Sequence, residues 1–195
     1  NAILGWLLVT PVVLTLVVLV VYPFFYAIWI SFTDQMVGSE AKFVGLENYA
    51  TLLRQPVFWT TIWNTIVLVV AVQALKLAFG LGIALLLNQP LRGRWVWRGM
   101  VLLPWAMPAF VAYITWKLLY APIAGAFNMI LLGLGAQNYV DFLGTKELAM
   151  PSVIVATFWR GFPFWVISFL AALQTIPNEL YEAAAIDGAG AWQRF

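Results

Sequence analysis

The chain contains no cysteine and no histidine. Their absence excludes disulfides, thiolate or imidazole metal sites, and every Cys/His or Ser/His catalytic pair. Charge is scarce as well: charged residues make up 9% of the sequence, against about 25% in a soluble domain. A formal net charge of +2 is too small a basic excess for a nucleic-acid partner. No GxxxxGK[ST] phosphate loop is present, so the chain cannot hydrolyse ATP by that machinery. With no nucleophile or metal cluster visible, neither an enzyme nor a cofactor is expected. What remains is apolar: 64% hydrophobic residues, eleven Trp, fourteen Phe and a mean hydropathy of +0.91. Such a chain needs membrane lipid against much of its surface, with aromatics for packing and interfacial anchoring.

Crossing the hydrocarbon takes about 20 apolar residues, and four stretches qualify: Ile3–Ile30, Thr61–Leu87, Gly99–Leu119 and Met150–Leu173. The first is uncharged and contains Pro11 and Pro23; it is too long, and lacks the cleavage pattern, for a signal peptide. The third carries Pro104 and Pro108, which a membrane helix can tolerate when its neighbours satisfy the freed carbonyls. All four are expected to be helices, giving an all-α polytopic transmembrane bundle. The stretch Leu118–Val140 is also uncharged, but its apolar heart MILLGLG is short. It is expected to be re-entrant or interfacial rather than a fifth crossing. Because the chain opens on Asn1 and stops at Phe195 without a polar tail, it is expected to be a piece cut at both ends. Two parts are expected, an N-terminal helix with its outer loop at 1–59 and a membrane core at 60–195.

Basic residues in short loops set orientation. Asn88–Arg98 holds Arg92, Arg94 and Arg98 without an acid, whereas Ser31–Thr60 balances Lys42 and Arg54 against Asp34, Glu40 and Glu47. The former loop is therefore expected in the cytoplasm, and with four crossings so are the N-terminus and everything after Leu173. Within the other loop, FVGLENY (Phe43–Tyr49) suits an interface-lying segment.

After the fourth span the pattern changes. Pro177 ends the span, Asn178 is placed to cap a new helix, and Glu179 and Glu182 suit its first turn. Three consecutive alanines favour helix, and Asp187–Gly188 ends it at a residue free to take positive φ. A second short helix is expected from Ala189 through Trp192 to Phe195. So short a helix is marginal in water unless it docks. Its small face admits another backbone closely, although an amphipathic connector lying on the membrane has the same pattern.

The stretch EAAAIDGAGAWQRF, Glu182–Phe195, resembles the EAA signature of type I ABC importer permeases, with Glu182, Ala183, Ala184, Asp187, Gly188, Ala189 and Phe195 at its fixed points. Four further stretches are similar to the carbohydrate-uptake branch of that family: Phe43–Tyr49, Asn64–Asn88, Leu102–Asn128 and Leu170–Ala184. Their order suits the subunit with an extra N-terminal helix. The resemblance implies a permease in the cytoplasmic membrane that forms a path for a sugar, oligosaccharide or polyol phosphate. It implies as partners two cytoplasmic ATP-binding subunits, a second permease subunit and an extracytoplasmic solute-binding protein. It also makes the EAA segment a coupling helix seated in a cleft of the ATPase. Gly188 would then supply the bend, Ala183, Ala184 and Ala189 close approach, Glu182 and Asp187 polar pairing, and Phe195 an anchor against the membrane domain.

Two cations stand inside the spans. Lys76 lies near the middle of the second, one turn after Gln73, and Arg160 lies in the fourth within TFWRGFPFW. A charge at such depth costs about 2.5–3.5 kcal/mol, so Gln73, Lys76 and Arg160 are candidate pathway residues. For Lys76, snorkelling, a span boundary a few residues off or a partner in the missing half of the protein is the better account; for Arg160, packing between helices or anchoring near the outer interface accounts for the charge equally. The rival function is a secondary carrier driven by an ion gradient. It calls for intramembrane carboxylates, and no Asp or Glu falls within the four spans.

Overall fold

The computed structural model describes residues 2–36, 38 and 40–195. Among them the chain is helical apart from loops and a single bridge between Thr33 and Phe43. It divides into two compact units, Asn1–Asn64 and Thr65–Phe195.

The first unit opens with α1, Ala2–Ser31. Over Val17–Val21 its hydrogen bonds lengthen to a π-type turn, and the Tyr22 N–H reaches the Val17 carbonyl. Pro23, which has no N–H to give, follows directly, and such a bulge is a usual place for a helix to adjust. The FVGLENY segment then folds back on the end of this helix. Gly45 takes φ +61° to open α2, Glu47–Arg54. The Asn48 amide donates to the Ser31 and Thr33 carbonyls at 3.0 and 2.7 Å. Phe43 stacks on Trp29 and Phe32.

The third helix, α3, is Pro56–Asn88 and carries the chain from the first unit into the second. There follow α4, Arg94–Ala106, α5, Ala109–Leu119, α6, Ala126–Gly133, α7, Lys146–Gln174, and α8, Asn178–Ile186. Among the described residues three helices, α1, α3 and α7, are long and apolar enough to cross a membrane. The expected third span is not one helix. It breaks between α4 and α5 with a bend of 87°. Pro108 explains the break: it lacks an N–H and forces the preceding residue out of the helical region. Met107 accordingly sits at φ −73°, ψ 136° and Pro108 at φ −54°, ψ 137°.

The broken pair nevertheless runs the length of α7. Arg98, Val101 and Leu102 lie beside Leu170 and Gln174 at one end. Trp105 meets Phe164, Trp116 meets Trp159, and at the other end the Tyr120 hydroxyl donates to the Ser152 carbonyl at 3.0 Å. From Ser152 to Gln174 a helix rises about 33 Å, so α4 and α5 together traverse the same depth as α7, antiparallel to it. The pair is one broken crossing rather than a loop returning to its own side.

At the Tyr120 end the expected non-crossing segment is α6, eight residues long and so about 12 Å. Asn128, fully buried, fixes it. Its amide donates to the Val140 and Ala121 carbonyls at 2.8 and 3.2 Å, and its oxygen accepts the Val140 N–H at 2.7 Å. Phe127, Tyr120 and Phe142 pack on one another at the same end. Asn128→Leu leaves three backbone groups unpaired and is expected to cost roughly 1–3 kcal/mol. Hydrogen exchange at Val140 should rise and the Tm fall, whereas Met129→Leu on the exposed side of α6 should change neither.

Candidate coupling and translocation site

The C-terminal element is built around one glycine. Helix α8 begins with Pro177 in extended conformation at the cap position, φ −61° and ψ 139°. Asn178 is therefore the first helical residue and caps nothing, contrary to the expectation from its side chain. Glu179 remains in the first turn and Glu182 falls in the second. At the other end Gly188 takes φ +81°. Its N–H reaches the Ala185 carbonyl at 3.2 Å, and the Ala189 N–H reaches that of Ala184 at 2.9 Å. These two bonds are the paired closure of a Schellman end, which requires a left-handed residue at this position.

Beyond Gly188 the expected second helix does not form. A single turn spans Ala191–Arg194, closed by the Arg194 N–H on the Gly190 carbonyl at 3.0 Å. The Gln193 side chain accepts the Gly190 N–H at 2.7 Å, as the third residue of a capping box does at the start of a helical turn. Trp192 packs on Phe195 at 5.9 Å between ring centroids. Phe195, Arg194, Ala191 and Tyr181 border a cleft of about 290 Å³ whose other walls are Leu85, Asn88 and Leu173.

That cleft places the element. It joins the C-terminal ends of α3 and α7, so Glu182–Phe195 lies on the side from which the arginine-bearing connection after Asn88 departs. Glu182, Ala183, Asp187 and Gly188 are exposed there, and Ala184 and Ala189 are half-buried. Ile186 and Trp192 keep 87% and 85% of their surface uncovered.

Helices α3 and α7 cross where glycine allows it. A Cβ on Gly80 would stand 2.7 Å from the Trp165 Cβ, and one on Gly161 would run into the Lys76 side chain. Phe79 meets Phe158 edge-on, and Ala84, Leu87, Val166 and Leu170 form the buried core beyond the crossing. Lys76 thus lies across Gly161, the residue after Arg160 in α7. Arg160 buries its Nε with no hydrogen-bond partner among the described residues. Gln73 is half-buried one turn away on α3. The structure therefore brings Lys76 of α3 against Gly161 of α7, one residue from Arg160.

A third partly buried cation, Arg98, reads in the sequence as a loop charge. Arg98 is in α4, its Nε and Nη2 buried without a partner among the described residues. It borders a cavity of about 260 Å³ with Leu87, Val101, Val166, Leu170 and Gln174. The start of α4 at Arg94, directly after left-handed Gly93, is what carries Arg98 inside. The Gly-Arg step at 93–94 was the available signal.

A helical, polytopic membrane bundle with a broken span and a compact polar element at one end has the architecture of a transport permease rather than an enzyme. The family model for the binding-protein-dependent transport system inner membrane component matches residues 76–195, and the chain belongs to that family. It is 40% identical over 196 residues to the trehalose/maltose transport system permease protein MalF of Thermococcus litoralis, covering 100% of this chain and 66% of that one. It is 35% identical over 197 residues to the sulfoquinovosyl glycerol transport system permease protein SmoG of Agrobacterium fabrum, covering 100% and 64%. The fold matches a chain from the crystal structure of a bacterial ABC transporter involved in import of the acidic polysaccharide alginate. That match has a TM-score of 0.82 at 24% identity and covers 97% of this chain and 64% of that one. The present chain spans about two thirds of the length of these relatives.

Proposed function

We propose that this chain is a permease subunit of an ATP-binding-cassette importer that moves a sugar or a related solute across the cytoplasmic membrane. One observation carries the reading. A helix–glycine–turn element with the EAA pattern stands on the arginine-loop side of the bundle, its Ile186 and Trp192 uncovered. Apolar side chains held there on a short rigid element need a partner, and a cleft in a cytoplasmic ATP-binding subunit meets that need. Glu182, Ala183, Ala184, Asp187, Gly188 and Ala189 would form the docking face. Phe195, at the cleft with Leu85 and Leu173, would transmit its movement to α3 and α7.

The relatives named for trehalose, maltose and sulfoquinovosyl glycerol transport support the solute class. A neighbouring crystal structure is of an alginate ABC transporter in complex with a pentasaccharide-bound periplasmic protein, which supports an extracytoplasmic binding protein as partner. A second permease subunit would complete the path, to which Gln73, Lys76 and Arg160 contribute. Residues 1–59 would serve as a helix and outer loop ahead of the core at 60–195, with the N-terminus cytoplasmic. Closure of the ATPase pair would drive the coupling elements as rigid bodies and bias the bundle between two access states. An ion-driven carrier fits less well, because every carboxylate of the chain lies outside the span interiors.

Cysteine labelling tests the placement. In the assembled transporter Ala189→Cys is expected to react with a membrane-impermeant maleimide only from the cytoplasmic face, and to be protected when the ATP-binding subunits are present. Labelling from the outer face overturns the reading.

A further inference from the structure

We propose that α2 is a membrane-surface helix whose Leu46, Tyr49, Leu52 and Leu53 side lies at the boundary between headgroups and acyl chains of a phospholipid leaflet. The inference goes beyond the transport reading: it needs α1 and α3 to be spans and nothing of what they carry.

Connectivity fixes the level of α2. Helix α1 ends at Ser31, and α3 starts at Pro56, with Gln55 alone between it and α2. Both neighbours are long and apolar enough to cross a membrane, so α2 is held where two spans leave the hydrocarbon. Both joints are tied. The Tyr49 and Ser31 hydroxyls share a hydrogen bond of 2.6 Å, and the Tyr49 ring packs on Phe32 at 5.7 Å between centroids. At the other joint the Trp59 indole N–H donates to the Leu53 carbonyl at 2.9 Å, one of those that a helix end leaves free. Trp29, in the last turn of α1, and Trp59, in the first turn of α3, are both exposed, as aromatics are at a membrane boundary.

The sequence of α2 gives it two faces. At 3.6 residues per turn Leu52, Tyr49 and Leu53 fall within about 100° of one another, and Glu47, Thr51 and Arg54 within about 60° on the opposite side. The apolar stripe is not packed away: Leu46 and Leu53 keep 67% and 52% of their surface uncovered, and Tyr49 and Leu52 are exposed too. Continuity with α1 says what covers it. That helix is uncharged on every side and has no buried residue, the pattern of a span in lipid. The lipid around α1 at Trp29 continues beneath α2. Glu47 at one end of the polar face and Arg54 at the other cancel, which suits zwitterionic headgroups. Asn48 sets the roll of the helix. Its amide bridges the Ser31 and Thr33 carbonyls, so the leucines cannot turn to water without breaking both bonds. Eight residues form a marginal helix in water; tied joints and lipid contact stabilise this one.

Spin labels test the placement in the complete transporter, freed of other cysteines and set in phosphatidylcholine nanodiscs. Collision with oxygen relative to a water-soluble nickel chelate is expected to be at least about three-fold higher for a label at Leu53→Cys than at Thr51→Cys, as burial about 5–10 Å into the interface requires. Adding Asn48→Ala should shrink that contrast. A Leu53 label shielded from both reagents means that protein covers the face, and overturns the proposal. A Leu53 label as open to the chelate as the Thr51 label puts the helix in water and overturns it as well. An unchanged contrast with Asn48→Ala overturns the role given to Asn48.

Discussion

Gly188→Val is expected to abolish ATP-driven uptake by the assembled transporter while Gly188→Asn leaves it nearly intact. The pair isolates backbone conformation from space. Nothing lies within 4 Å of a Cβ built on Gly188, so no steric collision with a neighbour separates the two variants. What separates them is φ +81°. Asparagine visits the left-handed region routinely, whereas a left-handed backbone costs an ordinary residue roughly 1–2 kcal/mol and a β-branched one more. Valine therefore favours release of the two bonds that close α8, from Ala189 to Ala184 and from Gly188 to Ala185. The element after the bend then loses its fixed direction relative to Ala183 and Ala184. An interface that needs both halves of the element at once fails, and uptake should drop about ten-fold for each 1.4 kcal/mol of coupling lost. ATP hydrolysis should continue without transport, and the ATPase should co-purify poorly. Glu182→Lys, which reverses a charge on the same exposed face, should uncouple in the same way. Wild-type uptake by Gly188→Val would remove the coupling role.

How much of this was legible in the sequence depended on whether a residue's neighbours were local. Helices α1, α3 and α7 and the turn at Gly188 are set by runs and spacings inside one segment, and their expected positions match the structure within a few residues. The break at Met107–Pro108 was visible as two prolines four apart, yet whether a helix absorbs a proline or parts at it depends on what the flanking helix offers. Here α7 offers Phe164 to Trp105 and Trp159 to Trp116, contacts that hold the two pieces separately. At Ala191–Arg194 the structure shows one helical turn, which the Gln193 side chain caps at the Gly190 N–H. Lys76 and Arg160 were each recognisable as costly, but the path of the Lys76 side chain over Gly161 is known only once two helices meet. Asn128 reads as one polar residue among several in a short loop. Its complete burial follows from the distant backbone at Val140 that it binds.

Gly80→Val is expected to leave little folded, assembled transporter, and Gly80→Ala to lower its Tm by several degrees. At Gly80 the added Cβ meets the Trp165 Cβ at 2.7 Å, the Trp165 carbonyl carbon at 3.4 Å and the Val166 nitrogen at 3.5 Å. Two of those three atoms are backbone of a helix, so relief requires α3 and α7 to separate rather than one side chain to turn. Overpacking of this kind costs about 1–3 kcal/mol for a small addition, and a branched side chain adds atoms on the same line of approach. Separation would also open the cluster of Ala84, Leu87, Val166 and Leu170 directly beyond the crossing, and loosen the cleft that seats Phe195. Two other glycines define the control. Gly82, on the same helix, has nothing within 4 Å of its added Cβ, so Gly82→Ala should be neutral or stabilising by up to ~1 kcal/mol from helix propensity. Gly161→Ala meets only the movable end of Lys76, so the fold should persist while the lysine is displaced. Thermal unfolding of the three alanine variants in nanodiscs should therefore rank Gly80 far below Gly161 and Gly82. Equal Tm values at all three positions would mean that α3 and α7 do not depend on backbone contact at this crossing.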